Sequence, residues 1–268
     1  MRIDMIFTAA QTEPTFLFDL LQKTAWPMTP PAPWSAFHII FSLVGLAASG
    51  FLAAFLGRRH KAHASLILWN CGVILGVSEV YKQLFIYEVV NHGCYDWWYF
   101  PFQLCSTPMY LCLVFPLLGQ GTPRRTAAAY LESFGLLGGI MALAEPSGLM
   151  HPYWTLTLHG LVWHIFLVFL SFFCAGCGLA GRTTRDFLYT IPLFFAFCLI
   201  ATAVNVFTGG KADMFYISPY YPITQVVFHQ ISLALGVIPG IGIYLISICV
   251  GAFLCFKGLN KILKASLV

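Results

Sequence analysis

Seven stretches of about twenty predominantly apolar residues follow one another along this chain, and each is long enough to cross a bilayer as a helix. They cover residues 34–56, 65–90, 99–119, 126–145, 152–180, 185–208 and 230–256. The fourth is the weakest, being short and rich in Ala and Gly. Composition agrees with this reading. Hydrophobic residues make up 59% of the 268 and charged residues 9%, and the mean hydropathy is +0.80. A soluble domain carries roughly 25% charge because it must cover its surface with solvated groups. A chain with so little charge must instead present apolar surface to lipid. The expected fold is an all-α polytopic bundle of about seven transmembrane helices.

Lys and Arg set the expected direction. One set of loop ends holds ten of the fourteen: Arg58, Arg59, Lys61, Arg124, Arg125, Arg182, Arg185, Lys257, Lys261 and Lys264. The opposite set holds Arg2, Lys23 and Lys211, and Lys82 lies within a span. The positive-inside rule puts the ten in the cytosol, with the N-terminus outside and the C-terminus inside. The chain divides into an external or interfacial segment over 1–33, the helical domain over 34–256 and a short basic tail over 257–268. The first segment holds Asp4, Glu13, Asp19 and Lys23, so it has no clean apolar core of the kind a cleavable signal needs. The run PMTPPAP over 27–33 stops any helix before the first span.

The small net charge, +4, reads as a topology signal, and no basic stripe points to nucleic acid. Eight of the nine cysteines lie in or beside apolar segments, leaving Cys94 without an external partner, so no disulfide framework is expected. The CxxC at Cys174 and Cys177 has no redox context and is assigned nothing. Gly72/Gly76, Gly135/Gly139 and Gly236/Gly240 have the spacing that lets membrane helices approach closely.

Polar side chains inside the spans carry the functional reading, because they are costly in hydrocarbon. Glu79 and Lys82 stand three apart in the second span and meet on one helical surface. The pair reads equally as a neutralised packing device or as part of a site for a polar headgroup. Cys105, in FPFQLC of the third span, lies about 9 Å from the outer end at 1.5 Å per residue. Pro101 and Pro108 bracket it and are expected to loosen its turn. His159 in the fifth span is about 10 Å deep, near the level of Cys105. His164 lies about 140° round the helix from His159, so the two do not form a metal pair. His38, Asn205 and His229 add polar groups near the outer ends of other spans. The inner half offers mainly Glu132 and Tyr130. The asymmetry predicts a polar cavity opening toward the outer face.

Taken in order, PWSAFHIIFSLVG, SEVYKQ, FPFQLC, LHGLVWH and Asn205 ahead of DMFYISPYYP resemble the YwaF-like bacterial membrane proteins grouped with eukaryotic transmembrane protein 164. The resemblance covers most of the chain from Trp34 onward. It implies a membrane acyltransferase that moves a fatty-acyl chain between phospholipids with a cysteine and a histidine inside the bundle. On matching positions these are Cys105 and His159. The resemblance also implies membrane lipids as partners, and its bacterial branch implies a bacterial plasma membrane.

The chemistry suits the residues. A thiol whose proton is taken by a base is a strong nucleophile, and the same base protonates the leaving alcohol afterwards. Gln103, or backbone N–H groups loosened near Pro108, are expected to stabilise the oxyanion, Lys82 to meet a phosphate with Glu79 holding it, and His38, His164 and Asn205 to support the site. No cofactor is called for. The alternative is a proton-coupled transporter or channel-like protein using Glu79, Lys82 and the histidines, although no inverted repeat is evident. A retinal receptor lacks its mid-span lysine in the seventh helix. A zinc hydrolase lacks HxxxH or HExxH spacing, so no metal is expected.

Overall fold

The computed structural model describes residues 16–265, so the first fifteen residues of the expected interfacial segment lie outside the described residues. Among the described residues the chain is all-α, with an isolated two-residue bridge, Pro27 with Tyr153, as its extended pairing. Helices α1 (Phe16–Gln22), α2 (Ala36–Arg59), α3 (Ala64–Phe85), α4 (Thr107–Val114), α5 (Thr122–Tyr130) and α6 (Leu136–Ala144) form the first half. The second half holds α7 (Trp154–Cys177), α8 (Thr184–Leu188), α9 (Thr190–Phe207), α10 (Val226–Leu235) and α11 (Val237–Ala265). Wide π-type turns extend α3 over Ile86–Val90 and join α5 to α6 over Leu131–Gly135. Six helical runs among the described residues are long and apolar enough to cross a membrane.

Two expected spans are corrected. The third is not a full-length helix: its apolar helical run is Leu104–Leu117, about 21 Å long at 1.5 Å per residue against a core of about 30 Å. The chain still has to traverse the bundle there, because α3 ends opposite the end where α5 begins. It does so partly unwound through Phe100–Gln103. Pro108 sits in the first turn of α4, where a missing N–H costs nothing, so the prolines start a helix instead of kinking one. The seventh span begins at Val237, not Gln230. Gly236 at φ +95° breaks the chain and leaves α10 as a separate short helix. Beyond it α11 runs on through Ala265, so the basic tail continues a helix.

The weak fourth span turns out to be the central post. Its helix covers Thr122–Ala144, and 72% of its most apolar stretch is buried, against 17% for α2 and for α11. Ala and Gly there reflect tight packing: a Cβ on Gly139 would stand 2.9 Å from the His164 carbonyl oxygen. Rings of Tyr130, Phe134 and Phe194 stack beside it, with centroids 4.7 and 4.6 Å apart. The Ser171 hydroxyl donates to the Leu131 carbonyl (2.7 Å), giving a bond to a turn whose own ladder is displaced.

Two of the basic loop residues bridge neighbouring loop ends. Arg125 pairs with Asp186, the Lys257 ammonium donates to the Thr184 hydroxyl (2.8 Å), and Gly57 approaches Cys177. At the opposite, arginine-poor end, the segment after α1 is stitched to the start of α7. Met28 N–H donates to the Pro152 carbonyl (2.9 Å), Trp154 N–H to that of Trp26 (3.0 Å), and the Thr155 hydroxyl to that of Thr24. Leu21 and Ala25 pack on Phe85, Ile86 and Leu156, so this segment roofs the space between α3 and α7.

Candidate functional site

Beneath that roof lies a cavity of about 150 Å³. Its walls come from α3 (Glu79, Lys82), the unwound approach to α4 (Gln103, Cys105, Ser106), the 148–151 turn and α7 (His159, Gly160, Trp163, His164). Tyr216, from the long 208–225 connection, closes it. Six of the eight residues singled out in sequence therefore meet: Glu79, Lys82, Gln103, Cys105, His159 and His164. His38 and Asn205 do not line it.

Backbone geometry explains the position of Cys105. It occupies the middle of a tight turn, Leu104–Ser106, that leads into α4. Unpaired backbone at membrane depth is tolerated where it lines a cavity or is buried in protein, and here side chains supply the missing partners. The Trp163 indole N–H donates to the Cys105 carbonyl (3.0 Å), and the Tyr110 hydroxyl to that of Pro101 (2.6 Å). The Thr107 hydroxyl donates to the Leu104 carbonyl (2.7 Å). The Ser106 side chain lies beside the thiol.

On α7 the His159 ring stacks on Trp163, one turn below, with centroids 5.4 Å apart. Its Nε2 is buried without a hydrogen-bond partner among the described residues, while the Ser78 backbone carbonyl lies beside the ring. An imidazole nitrogen left open in a polar cavity is available to a substrate or to a thiol proton. His164, buried, contacts the Gly160 carbonyl of its own helix through Nδ1 (2.7 Å).

Lys82 Nζ lies 2.7 Å from Glu79 Oε1. The Gln83 amide donates to the same oxygen (2.8 Å) and to the Tyr99 carbonyl, fastening the pair to the cavity rim. Glu79 is nearly buried while Lys82 retains 20% of its side-chain exposure. The ammonium thus faces the cavity as its only permanent cation among the described lining residues.

Gln103 and Asn205 both hold the backbone of the 213–215 loop. The Gln103 amide donates to the Asp213 carbonyl (2.9 Å) and accepts from Phe215 N–H (2.8 Å). Asn205 accepts from Met214 N–H (2.6 Å) and donates to the Met214 carbonyl (3.0 Å). Together they seat a buried loop whose peptide groups would otherwise go unpaired. His38 sits on α2 facing inward, with Trp34 edge-on at 5.8 Å and neither ring nitrogen partnered among the described residues. His229, on α10, bonds the Ile223 carbonyl through Nδ1 (2.8 Å) and does not line the cavity.

Sequence reasoning missed His151, Trp163 and Tyr216. His151 packs near Tyr99, and burial followed by the Lys82 charge hold its pKa below the ordinary imidazole value. All three lie in or beside the motifs already noted, as the H of HPYW, the W of LVWH and the second aromatic of DMFYISPYYP. Their sequence positions alone carried no signal of depth or direction, and the fold shows that they reach the cavity. No group of three or more His, Cys, Asp or Glu able to hold a metal is present among the described residues.

The family model of the TMEM164 family matches residues 32–258, nearly the whole helical domain. The chain belongs to the TMEM164 family. This is a membrane-protein family linked to acyltransferase activity. Comparison with curated proteins and with solved structures gave no match. The matched region begins just before α2 and ends within α11, so it contains every element that lines the cavity.

Proposed function

We propose that this TMEM164-family chain is a membrane-embedded lipid acyltransferase or lipid-ester hydrolase that works through a thioester on Cys105. The observation that carries the reading is the shared cavity: Cys105 and His159, 54 positions apart and on different elements, face one polar space in an apolar bundle. Polar groups are costly in such surroundings, and their convergence there has a functional reading by default.

The steps follow from the positions of the groups. His159 Nε2 takes the Cys105 proton, and the thiolate attacks the ester carbonyl of a lipid. The ester C–O bond breaks, His159 returns the proton to the leaving alcohol, and the acyl group stays on sulfur. A lysolipid hydroxyl, or water, gives its proton to His159 and attacks the thioester; the C–S bond breaks, and His159 returns the proton to the Cys105 sulfur. Lys82, held by Glu79, meets the phosphate of the headgroup as a point charge. We place the arginine-rich end in the cytosol by the positive-inside rule, so the cavity lies toward the outer leaflet. A bacterial plasma membrane, and the YwaF-like branch of the family, fit this reading.

The test is trapping of the acyl-enzyme. Purified protein is incubated with phospholipids carrying an isotopically labelled acyl chain, and hydroxylamine-sensitive label is located by mass spectrometry. Label on Cys105, absent in Cys105→Ala and reduced in His159→Ala, supports the reading. Wild-type lipid turnover by Cys105→Ala overturns it.

A further inference from the structure

The loop that closes the cavity is held in an unfavourable backbone conformation. Phe215 and Tyr216 are consecutive non-glycine residues at φ +60° and +59°. The left-handed region costs an L-residue about 1–2 kcal/mol each, and such strain persists only where surroundings enforce it. Here Gln103 and Asn205 hold the backbone on either side, and the buried Phe215 ring packs near Phe102 and Phe194. The reversal turns Phe215 into the core and delivers Tyr216 to the cavity that contains Cys105.

Three other donors at the cavity already have partners. The Trp163 indole N–H is used by the Cys105 carbonyl, Lys82 is paired to Glu79, and the Gln103 amide holds the loop. The Gln225 side chain lies beside the Tyr216 phenol, and a phenol oxygen that accepts from an amide keeps its own proton to donate elsewhere. Burial, then the neighbouring Cys105 and Asp213, push the phenol up to about 12, so it keeps that proton at neutral pH.

We propose that the Tyr216 hydroxyl is the hydrogen-bond donor that stabilises the oxyanion formed when Cys105 attacks an ester carbonyl. The proposal rests on the Cys105–His159 reading. As the Sγ–C bond forms, the carbonyl π electrons move onto oxygen, and Tyr216 donates to that oxygen without transferring its proton. When the C–O bond of the ester breaks, the electrons return to the carbonyl, and His159 protonates the departing alkoxide. The strained loop is what fixes the donor in advance, which is the condition for such a group to be effective.

The test uses p-nitrophenyl butyrate, a small ester, with purified protein in micelles. Two rates are read: the nitrophenolate burst from acylation of Cys105, and alkylation of Cys105 by iodoacetamide, a reaction that forms no oxyanion. Tyr216→Phe is expected to slow the burst about 100-fold while alkylation stays within about twofold of wild type, because thiol and base are untouched. A burst within about threefold of wild type overturns the proposal. So does a parallel fall in both rates, since that marks displacement of the thiol and not loss of a donor. Should Tyr216→Phe fail to fold, 3-fluorotyrosine at position 216 preserves shape and makes the phenol more acidic. A changed burst rate with unchanged alkylation then supports the donor, and an unchanged burst overturns it. A wild-type protein with no Cys105-dependent burst, but normal alkylation, removes the acyl-enzyme reading itself and this proposal with it.

Discussion

Replacing Gln103 with alanine removes both hydrogen bonds that this side chain makes to the 213–215 backbone, at 2.9 and 2.8 Å. Asp213 and Phe215 are 1% and 2% exposed, so the carbonyl and N–H left behind have little water to turn to. A buried group stranded in this way costs about 1–3 kcal/mol. Two such groups, softened by water entering from the cavity, give a loss of about 3 kcal/mol for the seated loop. On the other side stands the left-handed backbone at Phe215 and Tyr216, whose relaxation returns about 1–2 kcal/mol per residue. That strain is present before and after the substitution, so it adds nothing to the loss of about 3 kcal/mol but leaves the seated state little margin to absorb it.

Hydrogen exchange of the protein in nanodiscs reads this directly. At about tenfold per 1.4 kcal/mol, amide protection over Met214–Tyr216 is expected to fall at least 100-fold in Gln103→Ala. Protection in the middle of α7, which Gln103 does not touch, stays within about threefold. Asn205→Ala produces the same local loss, because its amide holds Met214 from the other side. The double variant costs less than the sum, since one substitution has already released the segment the other would release. Protection over Met214–Tyr216 within threefold of wild type in Gln103→Ala refutes the reasoning that this amide holds the strained loop in place.

Trp163→Phe keeps a ring to stack on His159 but leaves the Cys105 carbonyl without its donor; a loss of about 1–2 kcal/mol is expected in denaturant titration, and none would show the bond to be dispensable. Gly72→Ala places a Cβ 2.7 Å from the Leu113 backbone nitrogen, which cannot yield without separating α3 from α4. The expected penalty is about 1–3 kcal/mol, and a melting temperature equal to wild type would contradict it. The pKa of His151 is depressed in the folded protein, so the unfolded chain binds its proton first as pH falls. Stability is therefore expected to decline as pH drops below about 6.5, with a smaller decline in His151→Gln; identical pH curves for the two proteins would exclude this histidine as a source.

Much of the fold was legible because it depends on local, one-dimensional properties. Apolar length locates the helices, and the Lys and Arg positions mark the loop ends, where Arg125 and Lys257 bridge to their neighbours. Depth along each helix brought Cys105 and His159 to similar levels, and they share a cavity with Glu79 and Lys82. The errors arose where a local signal had two readings. The run over 99–119 is apolar enough for a span, yet its first part is unwound, with the Trp163 indole and the Tyr110 hydroxyl supplying bonds to the Cys105 and Pro101 carbonyls that a helix would have supplied. Gly236 resembled half of a packing pair, yet its positive φ ends a helix.

The sequence by itself determined that this chain carries apolar segments of membrane-spanning length and which ends of them carry charge. Bilayer thickness and the cost of charge in hydrocarbon act on each segment separately. Which segment stands at the centre was decided only by tertiary structure. So was the assignment of Gln103 and Asn205 to a loop, and of Tyr216 to the cavity. Those outcomes depend on side chains distant in sequence satisfying one another's backbone groups, and on the close approaches that Gly72 and Gly139 allow. No local pattern encodes the partner of a buried amide; it is fixed when the helices pack.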